Sequence, residues 1–230
     1  MDDIGGVLMQ GSGPARGLPP EELNICMAQT GCLSDPEVYR RLFERLPRFR
    51  REKAETIRAE ETRYGSVAAF SLLLHVLERT GLDMRAPSVW EDLDFRVTEK
   101  GKPYFDGAPG IRFSLSHTRG AVLCAVSGTE VGCDIEDPER KTDVEKLAHM
   151  VLSEQEKGCT DRPDFFRIWT RKEAYSKYTG NGLAENYAGF AVDEAPVASF
   201  AAEHGGYVCA VCSPLCTVMP AIRDVDLVIL

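Results

Sequence analysis

Phe165-Phe166-Arg167-Ile168-Trp169-Thr170-Arg171-Lys172-Glu173-Ala174-Tyr175-Ser176-Lys177-Tyr178-Thr179-Gly180 reads as one helix carrying a carboxylate and an ammonium group at a fixed separation. Trp169, Glu173 and Lys177 recur every four positions. On a helix of 3.6 residues per turn that spacing drifts slowly, so Trp169 anchors the stripe while Glu173 and Lys177 project side by side. Both ends are marked: Pro163 and Asp164 suit a first turn, and Gly180 suits the residue just past a C-terminus. Taken alone, a Glu followed four residues later by Lys is also an ordinary pair on a solvated helix.

Upstream, Val131-Gly132-Cys133-Asp134-Ile135-Glu136 reads as a strand. Asp134 and Glu136 are two apart and leave the same face of it, while Ile135 points the other way. Two carboxylates so placed repel, by about 4 kcal/mol at ~4 Å near a protein surface before screening, unless a cation lies between them. Magnesium characteristically takes one or two carboxylates together with substrate phosphates and waters. Asp134, Glu136 and a third acid such as Glu173 offer such a set, and the alternative is an exposed hairpin with two solvated acids. A third element, Ile111-Arg112-Phe113-Ser114-Leu115-Ser116-His117, alternates as a half-buried strand and ends in Ser116 and His117 where strand meets loop. Ala121–Ser127 and the strand of Asp134 are expected to pair as a hairpin about Gly128-Thr129, which would bring imidazole and metal together.

Ser116-His117, then Gly132-Cys133-Asp134-Ile135-Glu136, then Trp169-Thr170-Arg171-Lys172-Glu173-Ala174-Tyr175-Ser176-Lys177, in that order, resemble the 4′-phosphopantetheinyl transferases of the long, surfactin-synthetase type. The family pattern is Ser-His at a strand end, Gly-x-Asp-x-Glu, and Trp-[Ser/Thr]-x-Lys-Glu-[Ala/Ser]-x-x-Lys. The resemblance extends to Gly101-Lys102-Pro103 and to Gly206–Cys212, so it covers about residues 95–212 well and the first ninety poorly.

The resemblance implies an α+β fold of two pseudo-symmetric α/β halves, residues 1–110 and 111–230, with the active site in the cleft between them. It implies transfer of the phosphopantetheine arm of coenzyme A to a serine of an apo acyl- or peptidyl-carrier protein, with release of 3′,5′-ADP. Asp134, Glu136 and Glu173 would hold Mg2+ or Mn2+ against the diphosphate, Lys177 would neutralise developing charge, and Ser116 and His117 would contact phosphate. Lys102 would bind the nucleotide side. Either Glu173 or a water on the metal would take the proton of the carrier serine, and Asp134, Glu173 and Lys177 form the catalytic set. Relatives carry an Arg opening the long N-terminal helix; here that helix is expected from Ser66 to about Arg79, and Arg63, the nearest Arg, lies about two positions early. Arg48 and Arg51 are further candidates for coenzyme A phosphates. By the same resemblance the segment 143–158 helps dock the carrier, although Val144, Leu147, Met150 and Val151 at helical spacing also suit the protein's own core.

The pattern of the remaining chain predicts a strand at Leu23–Gln29 and a helix opened by a Ser34-x-x-Glu37 capping box. Further helix follows through the arginine span, with strands near 93–105. Helices are expected around 143–158, with a second capping box at Ser153-x-x-Glu156, and strands around 187–212.

Composition bounds the function. The 230 residues are 43% hydrophobic, enough for a packed core in one large or two small domains. A net charge of −9 argues against a nucleic-acid partner. The basic residues concentrate between Arg40 and Arg63, interleaved with Glu44, Glu52, Glu55, Glu60 and Glu61, as on a solvated helix from which one or two cations face phosphate. No apolar run approaches the ~18 residues of a membrane span, and Asp2 and Asp3 replace the basic start of a signal peptide ahead of a Gly- and Pro-rich leader, Gly5–Pro20. The expectation is a cytoplasmic monomer that does not engage membranes. Cys209-x-x-Cys212 has no second pair to complete a structural zinc site, and Tyr207–Cys212 reads instead as a buried strand with cysteine as a small hydrophobe. Two other functions use similar groups: a magnesium-dependent phosphoanhydride hydrolase acting on coenzyme A, and a non-catalytic coenzyme A or carrier-protein binding module. The chain lacks the Glu-rich helix of Nudix hydrolases, and a binding module would usually have lost one of the three acids.

Overall fold

Two strands alternate apolar residues toward two different cores, and this alternation builds a layered α+β molecule. The computed structural model describes residues 18–108, 110–182 and 186–230; the leader up to residue 17 lies outside them. Strand β1 (Leu23–Gln29) turns Cys26 and Ala28 to one face and Ile25 and Met27 to the other. Strand β5 (Ala121–Ser127) does the same, with Val122, Cys124 and Val126 against Ala121, Leu123 and Ala125. All seven β5 residues are buried, as expected of a strand covered on both faces.

The first core lies under helix α3 (Glu60–Arg79), whose Val67, Phe70, Leu73, Leu74 and Leu77 cover the sheet. Helices α1 (Pro36–Arg45), α2 (Arg48–Glu55) and α4 (Pro87–Leu93) extend that layer. A small ribbon of β2 (Phe95–Val97) and β3 (Pro103–Phe105) follows. Strand β4 (Arg112–Thr118) pairs antiparallel with β5, β5 with β1, and β1 runs parallel to the short β9 (Arg223–Asp224). This four-stranded sheet takes one strand from residues 1–110 and three from 111–230, so the two parts of the chain interlock through it.

The second core lies between this sheet and a three-stranded one, in which β6 (Gly132–Glu136) and β7 (Ser199–His204) flank β8 (Tyr207–Cys212), all antiparallel. Val131, Cys133, Ile135, Cys209 and Val211 face it. On the outer face of the second sheet lies α6 (Arg162–Thr179), preceded by α5 (Val144–Val151). The layers therefore run helix, sheet, sheet, helix. No helix among the described residues is long and apolar enough to cross a membrane.

Several local expectations need correction. Ala121–Ser127 does not pair with the strand of Asp134: β5 is already filled by β4 and β1, and Gly128–Glu130 carries the chain across to the other sheet. Gly128 is packed too tightly for any side chain, since a Cβ there would stand 2.0 Å from the Pro19 carbonyl oxygen. The long helix starts at Glu60, six residues before the expected Ser66, and Gly65 sits inside it against the His117 ring, where a Cβ would stand 3.0 Å from the ring. Asp35, not Ser34, caps α1, accepting from the Glu37 N–H at 2.8 Å, while the Ser34 hydroxyl donates to the Gly31 carbonyl. Residues 187–194 form two short 3-10 turns, and strand begins only at Ser199. In α5, Val144, Leu147 and Val151 pack with Phe165 and Phe166, whereas Met150 is 61% exposed. Cys209 and Cys212 fall on opposite faces of β8, one in the core between the sheets and the other beneath α6. Burial pushes both thiols up to about 12.

Candidate active site

Strand parity decides where the acids point. Because Cys133 and Ile135 enter the core between the sheets, Gly132, Asp134 and Glu136 leave β6 on the opposite face, toward α6. Gly132 lets the helix lie directly on the strand: a Cβ there would stand 2.1 Å from the Ala174 carbonyl oxygen and 2.3 Å from the Tyr178 nitrogen. The stripe of Trp169, Glu173 and Lys177 thereby comes over the two acids.

Lys177 Nζ donates to Asp134 Oδ1 at 2.6 Å and to Ser116 Oγ at 2.7 Å, and the Ser116 hydroxyl donates to the same Asp134 oxygen at 2.7 Å. Three segments far apart in sequence thus close into one hydrogen-bonded cluster of β4, β6 and α6. Burial works to neutralise Lys177, but the adjoining Asp134 outweighs it and holds the ammonium above its usual pKa. Ser114 fixes the edge of β4 to β6, its Oγ accepting from the Cys133 N–H at 3.0 Å. His117, exposed at the end of β4, packs one side of its ring on Gly65; partial loss of solvent on that side, with the Lys177 ammonium, keeps the imidazole below its usual pKa.

Glu173 receives the Trp169 indole N–H at 3.4 Å, and burial together with Asp134 raises its pKa. Burial, then the charge of Asp134, pushes Glu136 up to about 7, partly offset by Arg140, whose Nη1 is 3.1 Å from Glu136 Oε2. That contact is an ion pair without hydrogen-bond geometry that turns Glu136 Oε2 to Arg140, whereas Asp134 Oδ2 is enclosed with no hydrogen-bond partner. A buried acceptor left unpaired on Asp134, beside the second carboxylate of Glu136, is costly, and a hard cation removes that cost. The donor set of Asp134 and Glu136 therefore fits magnesium or manganese. Among the described residues no three His, Cys, Asp or Glu side chains are closed into a metal centre, so Glu173 stands within electrostatic reach of the pair and not in a preformed triad.

Lys102 sits at the far end of α6. It pairs with Glu130 and donates to the Tyr178 carbonyl at 2.8 Å, while Lys100 donates to Asn181 at 2.7 Å, so the turn before β3 is bolted to the helix terminus. Lys102 and Lys177 nonetheless border one cavity of about 210 Å³, with Ser114, Ser176 and Gly180 in its wall. Arg63 lies in the first turn of α3, donates to the Ile57 carbonyl at 3.2 Å and approaches Glu60 at 4.0 Å. Arg48 is 86% exposed beside Glu52, and Arg51 donates to the Glu44 carbonyl.

Three residues escaped the sequence reading. Arg50 stacks 4.7 Å over Phe70 and donates to Ser66 at 3.0 Å, its Nε enclosed and unpaired, with no carboxylate paired to it among the described residues. The buried Ala54 one turn later was the available signal, since it puts Arg50 on the inner side of α2. Tyr187 encloses its hydroxyl beside Glu173, and burial raises the phenol pKa strongly. Lys172 is wholly buried: its ammonium donates to Glu156 Oε2 at 2.5 Å and to the carbonyls of Val151, Tyr187 and Phe190, tying the turn that carries Tyr187 to α6.

Part of the chain is similar to known proteins. Residues 130–212 match the family model of the 4′-phosphopantetheinyl transferase superfamily. The chain is 37% identical over 102 residues to 4′-phosphopantetheinyl transferase HetI of Nostoc sp., covering 40% of this chain and 43% of the relative. It is 32% identical over 107 residues to a 4′-phosphopantetheinyl transferase of Bacillus subtilis, covering 44% and 47%, and 30% identical over 129 residues to Sfp of Bacillus subtilis strain 168, covering 53% and 57%. These matches span about half the length of the relatives. The matched segment 130–212 holds β6, α6 and β8, the elements that carry Asp134, Glu136, Glu173 and Lys177.

Proposed function

We propose that this protein transfers the 4′-phosphopantetheine group from coenzyme A to a serine of an apo acyl- or peptidyl-carrier protein, releasing 3′,5′-ADP. The observation that carries the reading is the junction of Ser116, Asp134 and Lys177 in one cluster at the edge of a cavity that Lys102 also borders. The likeness of residues 130–212 to the 4′-phosphopantetheinyl transferase superfamily supports it.

In this reading the carrier serine oxygen forms a bond to the phosphorus that bears pantetheine, the bridging bond to the nucleotide phosphate breaks, and 3′,5′-ADP carries off the electron pair. Negative charge gathers on the bridging and equatorial oxygens, so catalysis is chiefly positioning and cation placement. Lys177, kept charged by Asp134, stands where it meets that charge. Ser116 and His117 flank it at the end of β4, and Lys102 with Arg63 and Arg50 provide cations for the nucleotide phosphates. Glu173, its affinity for a proton raised by burial, accepts the serine proton. Asp134 and Glu136, with Glu173 as a third ligand, would hold a magnesium ion whose chemistry is to neutralise the diphosphate oxygens. The hollow beside α5, about 610 Å³ and lined in part by Ala148, His149 and Leu152, suits a docked carrier.

Mass spectrometry of an apo-carrier protein incubated with coenzyme A, magnesium and this protein tests the proposal. A mass gain of one phosphopantetheine, abolished by excess chelator, is expected. Release of free 4′-phosphopantetheine without carrier modification would establish the hydrolase reading instead.

A further inference from the structure

Glu136 meets the site through one side of its carboxylate. Its Oε2 is enclosed and turned to Arg140, at 3.1 Å from Nη1. The Arg140 guanidinium is itself held in place: it stacks 4.5 Å over the Trp169 ring and 5.6 Å from the Phe166 ring centre, with its Nε enclosed. Arg162, at the start of α6, pins the loop that carries Arg140 by donating to the carbonyls of Pro138, Arg140 and Thr142. A planar guanidinium fixed on two aromatic faces is a rigid cation with little freedom to release its carboxylate.

With Oε2 held on that side, Glu136 has Oε1 alone to offer a metal ion. One-oxygen carboxylate ligation suits magnesium and manganese, which favour octahedral sites and keep several waters; calcium takes six to eight oxygens and commonly binds a carboxylate through both. We propose that Arg140 sets the metal preference of this protein: by engaging Glu136 Oε2 it confines that acid to single-oxygen coordination, favouring magnesium or manganese and disfavouring calcium. The inference rests on the reading of Asp134 and Glu136 as metal ligands. It is distinct from two simpler effects of Arg140. Removing a positive charge strengthens every divalent ion alike, and loosening the loop weakens every one alike. Only a change in the ratio between ions reports how the carboxylate coordinates.

The test is calorimetric titration of the wild type, Arg140→Met and Arg140→Lys with magnesium, manganese and calcium chlorides, with and without coenzyme A. Arg140→Met is expected to raise calcium affinity relative to magnesium by about tenfold or more, the gain of one extra ligand atom. Arg140→Lys, which loses the planar stack, is expected to shift the ratio partway in the same direction. A calcium-to-magnesium ratio within about twofold of wild type in both variants would overturn the inference while leaving the metal site intact. Wild type that takes up neither magnesium nor manganese at millimolar concentration, even with coenzyme A, would overturn the metal reading and this inference together. Should circular dichroism show that Arg140→Met does not fold, the Lys variant decides.

Discussion

At the scale of single residues, Glu173 and Lys177 separate two roles that share one helix face. Glu173→Gln keeps the shape and removes the charge, so kcat should fall by about 10²-fold or more if the group both ligates metal and accepts a proton. Lys177→Met removes the cation facing the developing anion and should cost about 2.7–4 kcal/mol of barrier, with coenzyme A binding less affected. Steady-state kinetics of both variants within about twofold of wild type would reduce α6 to a salt-bridged helix. Glu136 predicts a pH effect. Its folded-state pKa of about 7 exceeds the ordinary carboxylate value of 4.5, so without metal the folded state keeps a proton that the unfolded chain releases. That contribution, about 3 kcal/mol, is complete below the lower value and is lost as pH rises through the higher one. A bound cation favours the ionised form. Magnesium should therefore raise the melting temperature more at about pH 8 than at about pH 5.5, as differential scanning fluorimetry can check, and an equal rise at both would count against Glu136 as a ligand.

At the scale of elements, the decisive contact is α6 lying on β6. Gly132→Ala places a methyl group against the backbone of Ala174 and Tyr178, where no side chain can yield. The helix must lift, which should cost about 1–3 kcal/mol by chemical denaturation and draw Lys177 away from Asp134, so turnover should fall far more than stability suggests. A variant with wild-type kcat would mean that the register of α6 on β6 is not what aligns the site. The helix itself was legible in the sequence almost to the residue, because Pro163, the four-residue stripe and Gly180 are local signals; Gly180 takes the left-handed conformation at φ 75° that such a C-terminus uses. The pairing of β6 was not legible. Its neighbour in sequence, β5, is claimed by β1 about a hundred residues earlier, and periodicity carries no record of a partner at that distance.

At the scale of the whole molecule, the last residues close the N-terminal core. The Val225 N–H donates to the Met27 carbonyl at 2.8 Å, Leu227 is buried among the residues under α3, and Arg41 and Arg45 donate to the Val228 and Leu230 carbonyls. Leu227→Ala should lower unfolding free energy by about 2–5 kcal/mol in urea, yet leave kcat near wild type, since nothing in the Ser116, Asp134 and Lys177 cluster touches this strap. A loss of kcat without loss of stability would reveal a coupling that the layered architecture does not provide.

By itself the sequence determined the elements and the chemistry they carry. Strand parity put Asp134 and Glu136 on one face, helical spacing put Glu173 beside Lys177, and Ser116-His117 marked a strand end, all within a few residues of chain. Tertiary structure alone decided which of these met: that β6 joins β8, that Gly65 makes room for His117, that Lys102 is bolted to Glu130 and the end of α6, and that Arg50 is the arginine of α2 that stacks on Phe70. Local backbone geometry repeats every two or 3.6 residues and so leaves a pattern in the chain. Burial and pairing are set by surfaces brought together across tens to hundreds of residues, and they leave none.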